Sequence, residues 1–296
     1  MSATVAAMHG VTKRYSDVTA LDDVTFALQE NRIHGLLGRN GAGKTTAMQI
    51  LTAQNFATSG AAEIFGERPY ENARVLARTC FIRESLKYPD DYKARHVLTA
   101  ASHVYPHWDR AFADRLVEEF ALPVDRACKK LSRGQHSVVG VIIGLASRAP
   151  LTFFDEPYLG LDAVARQMFY DHLLADFAEN PRTVVLSTHL IDEVSDLIEH
   201  VVLIDKGRVL IDEEAEALRG RAITVTGPVE SVERFARGHV ELHREQLGGF
   251  LRVTLSGVQP ASAEPNLQFE PVSLQQLVVR TTQQNSGARL EKEVLS

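Results

Sequence analysis

An α/β fold is the architecture this chain predicts, and three stretches carry the prediction. Ile33 to Leu37 is an apolar run that reads as a buried strand. The nine residues Gly38-Arg39-Asn40-Gly41-Ala42-Gly43-Lys44-Thr45-Thr46 follow it with the pattern G-x-x-x-x-G-K-[ST]. Thr46 to Ala53 then continues as a helix, with Met48, Ile50 and Leu51 available for packing. Strand, glycine-rich loop and helix in that order are what such a loop needs to cradle phosphate. Glycines let successive backbone N–H groups turn toward one anion at the positive end of the helix. Lys44 supplies a point charge for β- and γ-phosphates, and the Thr45 hydroxyl suits Mg²⁺.

Composition bounds the alternatives. The chain has 296 residues, 45% of them hydrophobic, which is enough for one large domain with an appendage or for two domains. A formal net charge of −6 argues against a broad electrostatic hold on nucleic acid. The longest uncharged apolar stretch, around Val138 to Ala146, is far short of the ~20 residues that cross a bilayer. Met1 to Met8 lacks the features of a signal peptide, and Cys80 and Cys128 stand far apart, so buried thiols in a reducing cytoplasm are expected.

Taken in order, residues 3 to 8 and 24 to 28 read as short strands joined through Lys13-Arg14-Tyr15-Ser16 and a polar turn at Asp22-Asp23. Tyr15 lies upstream of the phosphate loop, where its ring either stacks on a base or packs on a sheet edge. Ala61 to Phe65 reads as another strand after a turn at Thr58-Ser59-Gly60. Residues 94 to 149 are helical in character. Phe112, Leu116 and Phe120 recur every four residues behind a candidate cap at Asp109, and Pro123 marks a stop.

Two later strands carry chemistry at their ends. Leu151 to Phe154 runs into Asp155-Glu156-Pro157, which is either an exposed acidic turn or a site where Asp155 holds Mg²⁺ and Glu156 orients and deprotonates an attacking water. Thr183 to Leu186 runs into Ser187-Thr188-His189, where the imidazole either reaches a γ-phosphate or serves as a surface or capping residue. A helix is expected near Leu190, with Glu193, Leu197 and Ile198 around it. A hairpin follows over Val201 to Asp205 and Arg208 to Ile211, turning at Lys206-Gly207.

Five elements thus stand in fixed order: the Gly38 to Thr46 loop, Leu131-Ser132-Arg133-Gly134-Gln135, Asp155-Glu156-Pro157, Gly160-Leu161-Asp162 and Ser187-Thr188-His189. Together they resemble the nucleotide-binding subunit of an ABC transporter, over roughly residues 1 to 215. The resemblance implies a P-loop NTPase core with an antiparallel β subdomain and a helical subdomain at about 90–148. Its residues would be Tyr15 stacking on adenine, Lys44 and Thr45 on phosphate and Mg²⁺, Asp155 supporting the metal, Glu156 as general base and His189 on the γ-phosphate. It further implies that Ser132, Gly134 and Gln135 face ATP held by the opposite subunit, with Asp162 in a loop crossing the dimer interface. A helix start carrying Ser and Gly has the free N–H groups for that task.

Two positions depart from the family pattern. Arg133 takes a position of the signature usually held by glycine, and Glu84 stands where a glutamine ligand of metal and water is customary. Glu84 is expected to keep the metal role, at the cost of added negative charge beside the triphosphate. Leu86, Tyr88, Pro89 and Tyr92 form an apolar, aromatic surface that is either a dock for a helix of a membrane subunit or ordinary packing.

After Gly220 a small α+β module is expected. Ala222 to Thr226 and Phe250 to Ser256 read as strands and Val229 to Ala236 as a helix; Gly257 to Pro265 is a linker, and Ser273 opens a last helix with Gln276 in capping-box position. The expected boundaries are 1–218 for the ATPase domain, 219–282 for the module and 283–296 for a polar tail. Function follows as an expectation: ATP hydrolysis with Mg²⁺ by a homodimer or heterodimer on the inner face of the cell membrane, driving export through separate permease subunits. The rivals are an ABC-type ATPase acting on nucleic acid or ribosomes, disfavoured by the acidity, and a weakly hydrolysing regulatory module.

Overall fold

The computed structural model describes residues 3–84, 86–257 and 266–283. Two compact units divide the chain: one runs to His189 and takes in Ile204–Val209, and the other comprises Leu190–Leu203 and the described residues from Leu210 on.

In the first unit, β1 (Thr4–Tyr15) and β2 (Val18–Gln29) form one long antiparallel hairpin, followed by β3 (Ile33–Leu37), α1 (Lys44–Leu51) and β4 (Ser59–Ile64). β4 pairs with the other edge of β1, giving the order β2-β1-β4. Short strands at 3–8 and 24–28 with a polar connection are therefore corrected to two twelve-residue strands that turn at Ser16-Asp17. The cause is a set of register shifts between Met8 and Arg14. Each shift breaks the two-residue alternation, so Lys13, Arg14, Asp22 and Asp23 lie within strands while reading as loop.

α2 (Ala73–Leu76), capped by the Asn72 side chain, leads into β5 (Thr79–Arg83). The helical part follows: α3 (Ala94–Val104), α4 (Arg110–Glu119), a 3₁₀ turn at Cys128–Lys130 and α5 (Arg133–Ala146). Asp109 caps α4 as expected, accepting from the Phe112 N–H at 2.8 Å, and Phe112 and Leu116 are buried. The helix ends before Pro123, because Ala121 adopts φ 48°.

β6 (Leu151–Asp155), α6 (Ala163–Glu179) and β7 (Thr183–Thr188) complete the chemistry-bearing half. β5, β6, β7 and β3 lie side by side, all parallel. Every residue of β3, β6 and β7 is buried, as expected for strands covered on both faces. The in-phase register aligns Arg83 with Asp155, Asp155 with Ser187, and Leu37 with Thr188. The loops that leave β3, β6 and β7 therefore start from one edge of the sheet, where ligands of open parallel sheets bind.

In the second unit, α7 is only Ile191–Val194, shorter than the helix expected beyond Leu190. The chain returns to the first unit at Ile204–Val209, through the end of β8 (His200–Asp205) and the start of β9 (Arg208–Glu214). α8 (Ala215–Arg219), β10 (Ala222–Pro228), α9 (Val229–Ala236), β11 (Val240–Leu247), β12 (Phe250–Ser256) and β13 (Gln268–Pro271) follow. The last four strands make an antiparallel sheet in the order β11-β12-β10-β13. α9 packs on it through Val232 and Ala236 against Ile223, Val225, Leu251, Val253 and Leu255. Full burial of such side chains stabilises by ~1.5–3 kcal/mol each. Ser273 caps the helical residues 274–283, accepting from the Gln276 N–H at 3.2 Å. Most of the expected linker and of the polar tail lies outside the described residues.

Candidate nucleotide site

A pocket of about 350 Å³ opens where the β3 loop, the β6 loop and the end of β7 meet. Its walls are Ala20, Asn40 to Thr46, Glu84, Glu156, Leu159 and His189. The loop follows from its glycines. Gly43, with φ 113°, is the N-cap of α1, and a Cβ there would lie 2.6 Å from the Ala20 carbonyl oxygen and 2.7 Å from Leu21 Cδ2. Only a residue without Cβ takes this turn.

Lys44 is buried. It donates to the carbonyls of Gly38 at 2.7 Å and Arg39 at 3.2 Å, and pairs with Glu156 Oε1 at 3.5 Å. The next residue, Thr45, donates its hydroxyl proton to Asp155 Oδ2 at 2.7 Å. Asp155 is itself buried, and its other oxygen, Oδ1, has no hydrogen-bond partner. An orphaned carboxylate oxygen beside a threonine hydroxyl, at a helix start made for phosphate, is a hard-oxygen donor set that fits Mg²⁺. Among the described residues no group of three or more His, Cys, Asp or Glu stands ready to hold a metal alone. Such a cation would therefore share its coordination with phosphate oxygens, as Mg²⁺ does in nucleotide sites.

Glu156 follows β6 with φ 50°, a left-handed conformation uncommon for a residue with Cβ. Its N–H is held by the Ser187 carbonyl at 3.1 Å. The carboxylate is turned into the pocket, where Oε2 accepts from the Tyr158 hydroxyl and lies 2.8 Å from His189 Nδ1. Burial pushes the Glu156 carboxyl above the usual carboxylate range, and the charges of Lys44 and His189 offset part of that rise. A raised carboxyl beside a phosphate loop is suited to taking a proton from water.

Glu84 lines the same pocket, but its Oε1 is engaged by the Arg133 guanidinium. The two residues that depart from the family pattern are thus partners in one chain. Ser132 and Gln135 form a capping box at the start of α5: the Ser132 hydroxyl accepts from the Gln135 N–H at 3.2 Å, and Gln135 Oε1 accepts from the Ser132 N–H at 3.1 Å. A Cβ on Gly134 would come within 2.6 Å of the Gly160 carbonyl oxygen, so the α5 start and the loop before Asp162 touch through backbone. Asp162 caps α6, accepting from the Ala165 N–H at 2.8 Å.

The structure therefore gathers Asn40 to Thr46, Glu84, Glu156 and His189 around one pocket, with Gly38, Arg39 and Asp155 directly behind it. Tyr15, Ser132, Gly134, Gln135 and Asp162 do not line it. Tyr15 is 43% exposed beside the hairpin turn, with Lys13 Nζ 4.7 Å from its ring centre and its hydroxyl accepting from Asn55. Of the Leu86 to Tyr92 stretch, Tyr88 packs on α5, its ring 4.8 Å from that of His136, while Tyr92 is half exposed. Cys80 and Cys128 are buried thiols. Sequence reading passed over Tyr158, a buried residue between two motifs with no periodic or charge signal to mark it.

This fold and this pocket define a P-loop nucleotide-binding protein. A profile of the ABC transporter family matches residues 21–159. The doxorubicin resistance ATP-binding protein DrrA of Mycobacterium tuberculosis (strain ATCC 25618 / H37Rv) is 30% identical over 223 residues, covering 73% of this chain and 67% of that protein. The bacitracin transport ATP-binding protein BcrA of Bacillus licheniformis is 28% identical, over 74% of this chain and 72% of that one. YtrB of Bacillus subtilis (strain 168), an ABC transporter ATP-binding protein, is 25% identical over 61% of this chain, and the match spans 62% of its length. Among solved structures, an ATP binding subunit of an ABC transporter superposes with TM-score 0.65 at 24% identity, covering 73% of this chain and 92% of that one. The dimeric cassette MJ0796 bound to ADP and Pi superposes with TM-score 0.62 at 21% identity, covering 71% and 98%. The chain belongs to the ABC transporter family, among its ATP-binding, ATP-hydrolysing subunits. Among the described residues no helix is long and apolar enough to cross a membrane.

Proposed function

We propose that this chain hydrolyses ATP at the pocket described above to drive export through separate permease subunits, from a peripheral position on the inner face of the membrane. The observation that carries the catalytic part is the partly buried Glu156 carboxylate turned into a phosphate loop beside Lys44 and His189. Export is supported by relatives whose names place them in drug resistance and bacitracin transport.

Each residue has a task that its surroundings support. The Gly38 to Thr46 backbone and the α1 N-terminus receive the phosphates, and Lys44 exchanges its carbonyl partners for β- and γ-phosphate oxygens. Thr45 and Asp155 hold Mg²⁺, which when bound neutralises charge on the phosphates. Glu84 adds an oxygen there once Arg133 releases it. Glu156 takes the proton of the attacking water, and His189 steadies the γ-phosphate. Tyr15 stands as the adenine platform, and Ser132, Gly134, Gln135 and Asp162 form the face offered to ATP on a second subunit. Lys44, Glu156 and His189 line the pocket whereas Ser132, Gly134, Gln135 and Asp162 do not, which supports a site shared between two chains.

Steady-state ATP hydrolysis by native protein and by Glu156→Gln tests the catalytic reading. Loss of the general base should lower kcat by about 10²–10⁴-fold with ATP binding retained. Equal turnover would overturn it. Tagged Glu156→Gln, purified with ATP from detergent-extracted membranes, should bring down a polytopic membrane protein in fixed stoichiometry; recovery without one would refute the transporter role.

A further inference from the structure

Tyr158 is 2% exposed, yet its hydroxyl makes more polar contacts than a buried phenol needs. It donates to Glu156 Oε2, and it accepts from the Thr188 hydroxyl at 3.0 Å and from the His189 backbone N–H at 3.2 Å. His189 Nδ1 lies 3.0 Å from the same oxygen. A phenol has one proton to give and two lone pairs to offer. With the proton on Glu156 and both lone pairs taken, nothing is left for Nδ1. That nitrogen must find its partner in Glu156 Oε2, 2.8 Å away, and a carboxylate oxygen only accepts. Nδ1 therefore carries the proton.

The same inventory sorts the two oxygens of Glu156. Oε2 receives the protons of Tyr158 and His189. Oε1 is buried without a hydrogen-bond partner and stands 3.5 Å from Lys44. We propose that Tyr158 is a positioning residue for ATP hydrolysis, whose hydroxyl ties Glu156 Oε2 to His189, fixes His189 in its Nδ1–H tautomer and leaves Oε1 as the basic oxygen. Tyr158 acts through its neighbours and is not among the residues that line the phosphate pocket. Its removal affects turnover and leaves ATP affinity alone. This inference rests on the hydrolytic reading of the site only for its kinetic consequence, since the tautomer is a property of the protein without nucleotide.

The test uses the full chain and Tyr158→Phe, which keeps the ring and removes only the hydroxyl. Ring ¹⁵N spectra of protein without added nucleotide, with His189 assigned by its loss in His189→Ala, should show the Nδ1–H tautomer in the native chain and a mixture of tautomers in Tyr158→Phe. An Nε2–H tautomer in the native chain, or identical ring signals in the two proteins, overturns the proposal; the native spectrum alone decides the tautomer should the variant unfold. In kinetics, Tyr158→Phe should lower kcat about tenfold, one hydrogen bond's worth of misplacement, with KM for ATP within about twofold. Unchanged kcat, or a loss confined to KM, overturns the positioning role. Native protein that turns over no faster than Glu156→Gln would mark failure of the hydrolytic reading instead, and the ring spectra would still judge Tyr158.

Discussion

Asp176→Ala should destabilise the first unit severely while leaving its chemistry intact. Asp176 lies on α6 with its side chain 3% exposed, and its two oxygens are divided between two arginines. Oδ2 accepts from Arg182 Nη1 at 2.5 Å, and Oδ1 from Arg148 Nη2 at 3.0 Å. Arg148 has a second carboxylate, Asp109, at 2.9 Å and is 28% exposed, so it survives the loss. Arg182 does not. Its side chain is 4% exposed and would keep only carbonyl contacts, with Leu145 at 3.4 Å and Asn180 at 3.5 Å. Breaking a buried pair and stranding one charge costs about 3–5 kcal/mol. For a unit of this size, each kcal/mol lowers the midpoint by about 2–4 °C, so the expected fall in Tm is roughly 10 °C. Scanning calorimetry measures it, and Asp114→Ala is the control. That carboxylate pairs with Arg110 at 3.0 Å on the surface of α4, both side chains more than 60% exposed, and its loss is expected to cost about 0.3–0.5 kcal/mol. Below the midpoint, kcat per folded molecule of Asp176→Ala should match the native value, because Asp176, Arg148 and Arg182 pair with one another and with Asp109, and not with Lys44, Glu156 or His189. A Tm within 2 °C of native, or no larger a fall than Asp114→Ala gives, would refute the reasoning.

Gly43→Ala should abolish ATP binding, read by equilibrium dialysis, since its Cβ would sit 2.6 Å from the Ala20 carbonyl at a φ of 113°. Hydrolysis should fail on acidification at a higher pH than an exposed glutamate would dictate: burial raises the Glu156 carboxyl above 4.5, the carboxylate is the working form, and activity is lost as pH drops through the raised value. A pH profile of kcat with its acid limb at or below 4.5 would contradict this. Glu84→Gln should change the Mg²⁺ concentration that gives half-maximal turnover, whereas its pairing with the 68% exposed Arg133 should contribute under about 1 kcal/mol in a double-mutant cycle. Cys80 is fully buried, and burial pushes its thiol up to about 11, so iodoacetamide at pH 8 should leave it unmodified in native protein and alkylate it in urea.

The buried parallel strands were legible because burial on both faces writes a continuous apolar run. Ile33–Leu37, Leu151–Asp155 and Thr183–Thr188 match their runs to within two residues. Amphipathic helices with caps were legible too, as Asp109 and Ser273 show. The long hairpin was not, since bulges between Met8 and Arg14 shift which face each residue takes. β11 and β13 were missed for another reason. β11 is largely exposed, and its residues, Val-Glu-Leu-His-Arg-Glu-Gln-Leu, carry no alternation; its pairing with β12 is what makes it a strand. An edge strand with little to bury leaves little in the sequence to read.

Motif residues of the site were legible because each performs one chemical task at one place in the chain. What escaped is the connection between them. Arg133 and Glu84 are 49 positions apart, and each reads alone as a departure; together they are an ion pair whose opposite charges compensate. Tyr158 and His189 are 31 positions apart, and no spacing rule joins a phenol in one loop to an imidazole at the end of a strand. The parallel register makes the junction. Because Asp155 pairs with Ser187, the residues just beyond each strand emerge together, and Tyr158 reaches Thr188, His189 and Glu156 in one step. A sequence specifies which acid and which histidine are present. The sheet register decides which of their atoms are already satisfied, and therefore which oxygen of Glu156 is left for water.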